Sequence, residues 1–191
     1  MNNKLLRHLI VAGLLFWSWG APLADPALAV TNAHAASIEY EVKAAFVHNF
    51  TKFIEWPDEV FESENSPLRI GILGTGLIND FLMKLDGKVV RSRNLAVSKV
   101  DDINEVGGYH IIYVNPSQKK WTQSILGLLE GKGILSIGDM PGFAKEGGVI
   151  NFYLEKGKVR FEINDCSATQ ENLKISSKLL RLARILCSKN R

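Results

Sequence analysis

The sequence is poor in the residues and patterns that catalysis and metal binding require. It has two cysteines and four histidines in 191 residues, and His48 and His110 lack the short spacing typical of zinc ligands. No G-x-S-x-G or Walker A pattern occurs, and the glycines of GILGTG (71–76) do not follow the G-x-G-x-x-G order of dinucleotide-binding loops. These absences predict a protein without catalytic residues, metal or cofactor.

The chain also lacks a large excess of charge of either sign. It has 23 basic and 20 acidic residues, a formal net charge of +3, and the two kinds are interspersed. A nucleic-acid-binding protein usually concentrates basic residues, so we expect no nucleic-acid partner. Beyond the N-terminal segment no apolar run is long enough to span a bilayer. The body of the protein is therefore not expected to be membrane-spanning.

The N-terminal segment has the three parts of a secretory signal peptide. Basic residues precede an apolar run of about 11 residues at 9–19, and an A-H-A sequence follows at 33–35. An uncleaved membrane anchor is the alternative, but a bilayer span needs roughly 20 apolar residues. We therefore predict a cleaved signal peptide at 1–35 and one domain at 36–191. A-L-A at 27–29 is a second candidate cleavage site.

The two cysteines, Cys166 and Cys187, both lie in the predicted exported domain. An even number of cysteines in an oxidising compartment favours a disulfide. Two separate buried thiols are the alternative, because a helix predicted between the cysteines could hold them apart. The pair is therefore a candidate disulfide.

The first segment of the domain has helical periodicity. Residues 38–56 are predicted to form a helix that ends before Pro57, which cannot continue a helix and restricts the residue before it. Apolar spacing predicts that one stripe of this helix faces the core, whereas Lys43 and Thr51 fall off it. The stripe consists of Val42, Phe46, Asn49, Phe50 and Phe53.

The rest of the domain alternates strand and helix signals. Strands are expected within 68–74, 89–100, 109–116 and 134–139, and helices within 76–88, 101–107 and 117–133. Two strand-like runs around Lys156-Gly157 follow as a β-hairpin, and 171–189 is expected to be a long closing helix. This order predicts an α/β three-layer sandwich with a mostly parallel sheet, a C-terminal antiparallel hairpin and a closing helix.

Ligands of open α/β sheets bind beyond the carboxyl ends of the parallel strands. Three polar residues follow predicted strands there: Thr75, Ser117 and Asp139. They form a candidate ligand-binding rim. The alternative is that the nearby glycines permit tight turns, while Ser117 and Asp139 cap helices.

Two segments resemble the YfiR family of exported regulators. YEVKAAFVHNFTKFIEWP (40–57) is similar to the N-terminal hallmark of that family. IGDMPGFAKEGGVINFYLEKGKVRFEIN (137–164) with LKISSKLLRLARIL (173–186) is similar to its C-terminal hallmark. The resemblance implies a non-catalytic periplasmic α/β protein that binds and represses the sensory part of an inner-membrane diguanylate cyclase, and so limits cyclic-di-GMP production and biofilm formation.

The resemblance also bears on partners and regulation. Relatives look suited to other membrane sensors, such as histidine kinases, and a homodimer would match a dimeric receptor. Redox control through disulfides is associated with the family, but this chain lacks the fuller cysteine set. A periplasmic small-molecule binding protein that serves a receptor or transporter is the alternative function.

Exposed aromatic side chains are common in protein interfaces. Trp56, Phe61 and Trp121 are therefore candidates for partner binding, with burial in the core as the alternative for each. Replacing Trp121 with Ala is predicted to weaken partner binding while leaving the fold intact.

Overall fold

The computed structural model describes the backbone of residues 26–187 and the side chains from residue 34 onward. Most of the predicted signal peptide (1–35) therefore lies outside the described residues. Within the described part, no helix combines the length and apolarity needed to cross a membrane.

A long N-terminal helix and a mixed sheet organise the chain. Helix α1 (Pro26–Phe53) precedes β1 (Ile54–Glu55), β2 (Leu68–Leu73), α2 (Asn79–Met83), β3 (Val89–Val90), β4 (Arg93–Val100), β5 (Ile111–Val114), α3 (Thr122–Leu129) and β6 (Leu135–Gly138). The chain then forms β7 (Ile150–Glu155), β8 (Lys158–Asn164), α4 (Asp165–Gln170), β9 (Lys174–Ile175), α5 (Ser177–Leu180) and β10 (Arg184–Cys187). Short 3₁₀ helices cover Asp58–Val60, Ile103–Gly108 and Pro116–Trp121.

The main sheet has eight strands in the order β10-β8-β7-β6-β5-β2-β4-β3. Five of its seven neighbouring pairs are parallel, and the β7–β8 hairpin and the β3–β4 pair are antiparallel. The hairpin turn is Lys156-Gly157, with both residues at positive φ, as a two-residue hairpin turn favours. The predicted α/β class, mostly parallel sheet and C-terminal hairpin are confirmed.

Alternate residues of the central strands enter two separate cores. Ile111 and Tyr113 of β5 face a core shared with α1, α2, α4 and α5, whereas Ile112 and Val114 face a smaller core shared with α3. Because successive strand residues point to opposite faces, this pattern places helices on both sides of the sheet. The predicted three layers are therefore present.

The predicted closing helix at 171–189 is wrong. This segment contains β9, the four-residue α5 and β10, and β10 pairs in parallel with β8. The apolar spacing did place Ile175 and Leu179 in the core, but Leu182 and Ile185 are exposed. Pairing along the edge of β8 and a covalent link at Cys187 outweigh the helical pattern, as tertiary contacts commonly do.

The exposed and buried faces of α1 also differ from the prediction. Val42 and Asn49 are exposed, whereas Lys43 and Thr51 are buried. The buried face is rotated by about one residue, and it includes Ala44, Val47, Phe50 and Thr51. Thr51 is accommodated because its hydroxyl donates a hydrogen bond to the carbonyl oxygen of His48 at 2.6 Å, which satisfies the buried donor.

The rotation of α1 predicts unequal effects for two apolar truncations. Phe50→Ala removes a fully buried ring and should lower the free energy of unfolding by about 3–5 kcal/mol. Val42→Ala should change it by no more than about 0.5 kcal/mol, because Val42 is on the exposed side. Denaturant unfolding of both variants measures the difference. Equal losses would contradict the observed orientation of α1.

Candidate functional site

Thr75 and Ser117 of the predicted ligand rim meet after β2 and β5. The backbone N–H of Thr75 donates to the hydroxyl of Ser117 at 3.0 Å. Gly74 has a φ of +85°, and a Cβ there would lie 2.5 Å from that hydroxyl oxygen. Ser117 lies inside a 3₁₀ helix and is not the cap of α3. The two loops are closely packed, and glycine is required at position 74.

The side-chain amides of Asn79 and Asn115, which the sequence did not single out, connect the loops that follow β2 and β5. The side-chain amide of Asn115 donates to the carbonyl of Leu73 and to Asn79, and the amide of Asn79 donates to the carbonyl of Gly74. Asn115 is fully buried, and its amide oxygen has no partner among the described residues. The pair explains how the strand ends are held together, since buried amides need partners.

Asp139, the third predicted rim residue, binds the core-facing side of α1. Its Oδ2 lies 2.7 Å from Nζ of Lys43 and 3.4 Å from the hydroxyl of Tyr113, and Lys43 also pairs with Glu39. Asp139 is therefore an ion-pair partner and not a helix cap. None of Thr75, Ser117 and Asp139 lines the four cavities described below, so their ligand-binding role stays a prediction.

Burial and charge shift two pKa values in this cluster. Burial alone would lower the pKa of Lys43, but its bonds to Asp139 and Glu39 outweigh burial and raise that pKa. Burial, followed by the nearby Asp139 carboxylate, raises the pKa of Tyr113 well above its ordinary value. Lys43 is thus a cation and Tyr113 a neutral donor at physiological pH. The cluster joins α1 to the carboxyl end of β6.

The described cavities lie at the opposite end of the parallel strands, around the segment that follows α1. Their volumes are about 390, 280, 1210 and 440 Å³, and each is lined by at least one residue between positions 51 and 62. His110 and Gly133, which line two of them, precede β5 and β6. The concave surface is therefore at the amino ends of these strands, not at the carboxyl ends that the sequence suggested.

Trp56 and Phe61 belong to this amino-end surface. The indole N–H of Trp56 donates to the carbonyl of His110 at 3.1 Å. Phe61 stacks on the His110 ring with centroids 4.5 Å apart, and the guanidinium of Arg93 lies 3.8 Å from the Phe61 centroid. Both aromatic residues are half-buried and pack against the core. They stabilise the loop and present only part of their surface to a partner.

His110 has a defined tautomer in this loop. The N–H of Arg69 donates to Nδ1 at 3.0 Å, so the proton is on Nε2, which lies 3.2 Å from the carbonyl oxygen of Val60. Burial lowers the pKa of His110, and the hydrogen bond to Val60 only partly offsets this. A second proton on Nδ1 would face the Arg69 donor. The loop is therefore built around a neutral histidine.

Trp121 lies apart from the other two partner-binding candidates. It ends the 3₁₀ helix that follows β5, at the carboxyl end of that strand, and 62% of its surface is exposed. Trp56 contacts the residue that precedes β5. The three aromatic residues therefore do not form one surface, and their roles in partner binding stay predictions.

The candidate disulfide is present. Cys166 of α4 and Cys187 of β10 are bonded, with Cα atoms 5.6 Å apart. The disulfide connects the edge strand β10 to α4. A long helix between the two cysteines, as predicted from the sequence, would have held them apart. Within residues 34–187, no group of histidine, cysteine and acidic side chains is arranged to hold a metal ion.

Comparison with protein families matches residues 40–184 to the family described as YfiR/HmsC-like (DUF4154). The chain belongs to this family. Proteins of the YfiR/HmsC-like family are periplasmic regulators of diguanylate cyclases rather than catalysts, and a disulfide fits an oxidising compartment. The family match agrees with the resemblance seen in the sequence.

Comparison with solved structures gives partial similarities to this YfiR/HmsC-like protein, two of which follow. One is an ABC domain in complex with L-Trp from Streptococcus pneumonia, at 10% identity and a TM-score of 0.45. The other is a conserved domain protein from Vibrio cholerae O1 biovar eltor, at 11% identity and a TM-score of 0.44. Each match covers 62% of this chain and about half of the other chain, 55% and 54% respectively. Comparison with curated proteins gives no match.

Sequence reasoning missed Lys43, His110 and Asn115. Glu39 precedes Lys43 by four residues, the spacing of a helical ion pair, and this was the one available signal that Lys43 has a partner. Asn115 and His110 sit at the two ends of β5, and their contacts come from distant segments of the chain. Nothing in the local sequence reports those contacts.

The tautomer of His110 predicts a pH dependence of stability. Its folded-state pKa is below the value of about 6.5 expected in the unfolded chain, so the unfolded state binds the proton first as the pH falls. The contribution of neutral His110 to the free energy of unfolding is fully present above pH ~6.5 and is lost as the pH falls below that value. Denaturant unfolding between pH 7.5 and 5 (roughly the range spanning that pKa) should show a steeper loss for the wild type than for His110→Gln.

His48 is the matched control for this measurement, because its pKa is also lowered, by burial and then by Lys52 and Lys88. His48→Gln should keep the part of the slope that His110 causes. If His110→Gln retained the full wild-type slope, the proposed neutral state of His110 would be wrong.

Proposed function

We propose that this protein is a non-catalytic periplasmic regulator. It binds and represses the periplasmic sensory part of an inner-membrane signalling enzyme, with a diguanylate cyclase as the first expected partner and a histidine kinase as the second. The observation that carries the proposal is the match to the YfiR/HmsC-like family over residues 40–184. By this proposal the protein limits cyclic-di-GMP production, and hence biofilm formation, until a periplasmic signal releases the enzyme.

Export is part of the proposal. Residues 1–35 act as a cleaved signal peptide, and residues 36–191 form the mature domain. The apolar run at 9–19 and the A-H-A sequence at 33–35 support this. The Cys166–Cys187 disulfide supports an oxidising destination as well.

Repression by binding needs a surface rather than an active site. The described cavities are open and lie around a loop whose aromatic residues are already packed. Trp121 offers an exposed aromatic side chain at the other end of the sheet. Large aromatic side chains are frequent energetic centres of protein interfaces, so Trp121 remains the first residue to test for partner contact.

The test is crosslinking of the tagged protein in the periplasm of its own host, followed by mass spectrometry of captured membrane proteins. One enriched cyclase or kinase is the expected result. Deleting the gene for this protein should then raise the output of that enzyme. Capture of transport proteins, or of nothing above background, would contradict the regulator function and favour a small-molecule binding protein.

Trp121→Ala is predicted to reduce capture of that partner while the unfolding free energy changes by no more than about 0.5 kcal/mol, as expected for an exposed side chain. Leu77→Ala is a matched control, because Leu77 is also largely exposed, at 69%, and apolar. Undiminished capture by Trp121→Ala, or loss of the fold, would show that Trp121 is not a contact.

A further inference from the structure

A basic cavity lies beside the C-terminal end of α1. Its volume is about 440 Å³, and its wall carries four cations, Lys52, Arg91, Lys174 and Lys178, but a single carboxylate, Glu55. The four cations come from α1, from the turn between β3 and β4, from β9 and from α5. Because β9 and α5 are adjacent in the sequence, these four elements represent three separate regions of the chain, which together place positive charge on one concave surface.

Most of this charge has no acidic partner within the described residues, although Lys52 donates a hydrogen bond to the amide oxygen of Asn49 at 3.3 Å. Arg91 Nη2 is 3.8 Å from Glu55 and also donates to the carbonyl of Lys52 at 3.0 Å. Lys52, Lys174 and Lys178 form no ion pair with any residue from 34 to 187. The cavity therefore keeps an excess of three positive charges.

Pairing of β1 with β9 places Lys174 beside the end of α1, opposite Glu55, which is a favourable cross-strand arrangement of charges. The remaining cations, Lys52, Arg91 and Lys178, are exposed like charges gathered around one cavity. The pKa of the neighbouring His48 is lowered mainly by burial and further by Lys52, which lines the cavity, and by Lys88, which does not. A local excess of one charge is compatible with a binding role for the surface.

We propose that this basic cavity binds an acidic segment of the periplasmic domain of the membrane partner. The inference rests on the proposed function and deepens it. Phe53 and Ile175 also line the cavity and add apolar atoms for the methylene groups of glutamate side chains, while the lysines complement the carboxylates. Charge complementarity of this type steers association and fixes the register of two partners.

Two other occupants fit less well. A small ligand needs a few fixed polar groups for orientation, whereas the lysines here are exposed and mobile on long stems. An anionic bilayer that approached the cavity would also approach an acidic segment of the chain that begins at the cavity wall with Glu55. This segment contains Glu55, Asp58, Glu59, Glu62 and Glu64, which an anionic surface repels.

The test compares two variants with the same change of charge. Lys52→Glu/Lys178→Glu reverses two cavity lysines. Lys99→Glu/Lys145→Glu reverses two exposed lysines that lie outside the cavity. Both are made in protein purified from the periplasm, and the denaturant midpoint of each is measured so that a change in stability is separated from a change in binding. Each is titrated with a fluorescent glutamate-rich peptide and with vesicles of phosphatidylethanolamine and phosphatidylglycerol.

The cavity variant should bind the peptide at least about tenfold more weakly than the wild type, because the two reversals turn the excess of three positive charges (4 − 1) into an excess of one negative charge (2 − 3). The control variant should bind within about twofold of the wild type, and added salt should weaken the wild-type complex. Equal peptide binding by both variants would overturn the inference. Binding of vesicles without binding of peptide would also overturn it and would indicate a membrane surface.

In cells, a photo-crosslinking residue in place of the exposed Ser177 reports on the natural partner. The expected crosslink falls on a segment rich in Asp and Glu, and the cavity variant loses capture while the control keeps it. If both variants capture the same signalling enzyme equally, the regulator function stands and the cavity inference fails. If the wild type captures no signalling enzyme, the proposed function fails, and the peptide titration alone decides on the cavity.

Discussion

The packing of α1 on the sheet through four phenylalanines is the contact on which the rest of the structure depends. Phe46 and Phe50 of α1 each contact Phe152 and Phe161 of the β7–β8 hairpin, with ring centroids 5.1–6.2 Å apart. Such pairs add about 0.5–1.5 kcal/mol each beyond the apolar area that they bury. Because this contact fixes both the axis and the rotation of α1, it decides which residues the two ends of the helix can reach. Lys43 reaches the carboxyl end of β6, and the segment after α1 reaches the amino end of β5.

Positive charge is neutralised by ion pairs near one end of α1 and is left without ion pairs near the other. Lys43 is 97% buried, and two carboxylates neutralise it; a buried cation without them would be strongly destabilising. Lys52, near the other end, keeps its charge in solvent beside other cations. The chain therefore compensates positive charge where folding requires it and leaves it uncompensated at a surface. The difference follows from burial, since only the buried cation needs fixed partners in the folded protein. The proposed acidic partner would supply carboxylates to the exposed end.

The elements that the sequence predicted well are those determined by local pattern. Apolar runs such as 68–74 and 134–139 became β2 and β6, and the Lys156-Gly157 turn became the hairpin. The elements predicted wrongly depend on distant partners. The helical spacing at 171–189 could not reveal that β8 has an open edge, or that Cys187 is bonded to Cys166. The candidate site was harder to predict than the fold, because the loop around His110 combines residues from four segments of the chain. No local sequence pattern indicates that Phe61, Arg93 and His110 are in contact.

The location of the concave surface bears on how such a protein can act. In an open parallel sheet the carboxyl ends of the strands, with their loops and helix N-termini, usually hold small ligands. Here that edge is closed by the Asn115–Asn79 pair and by Ser117, while the cavities lie at the amino ends. Side chains there that could contact another molecule are charged and exposed, and the aromatic residues among them are fixed by His110 and Arg93. A charged face of this kind, with exposed side chains on a segment whose backbone is held by packed aromatic residues, suits electrostatic recognition of a complementary protein surface.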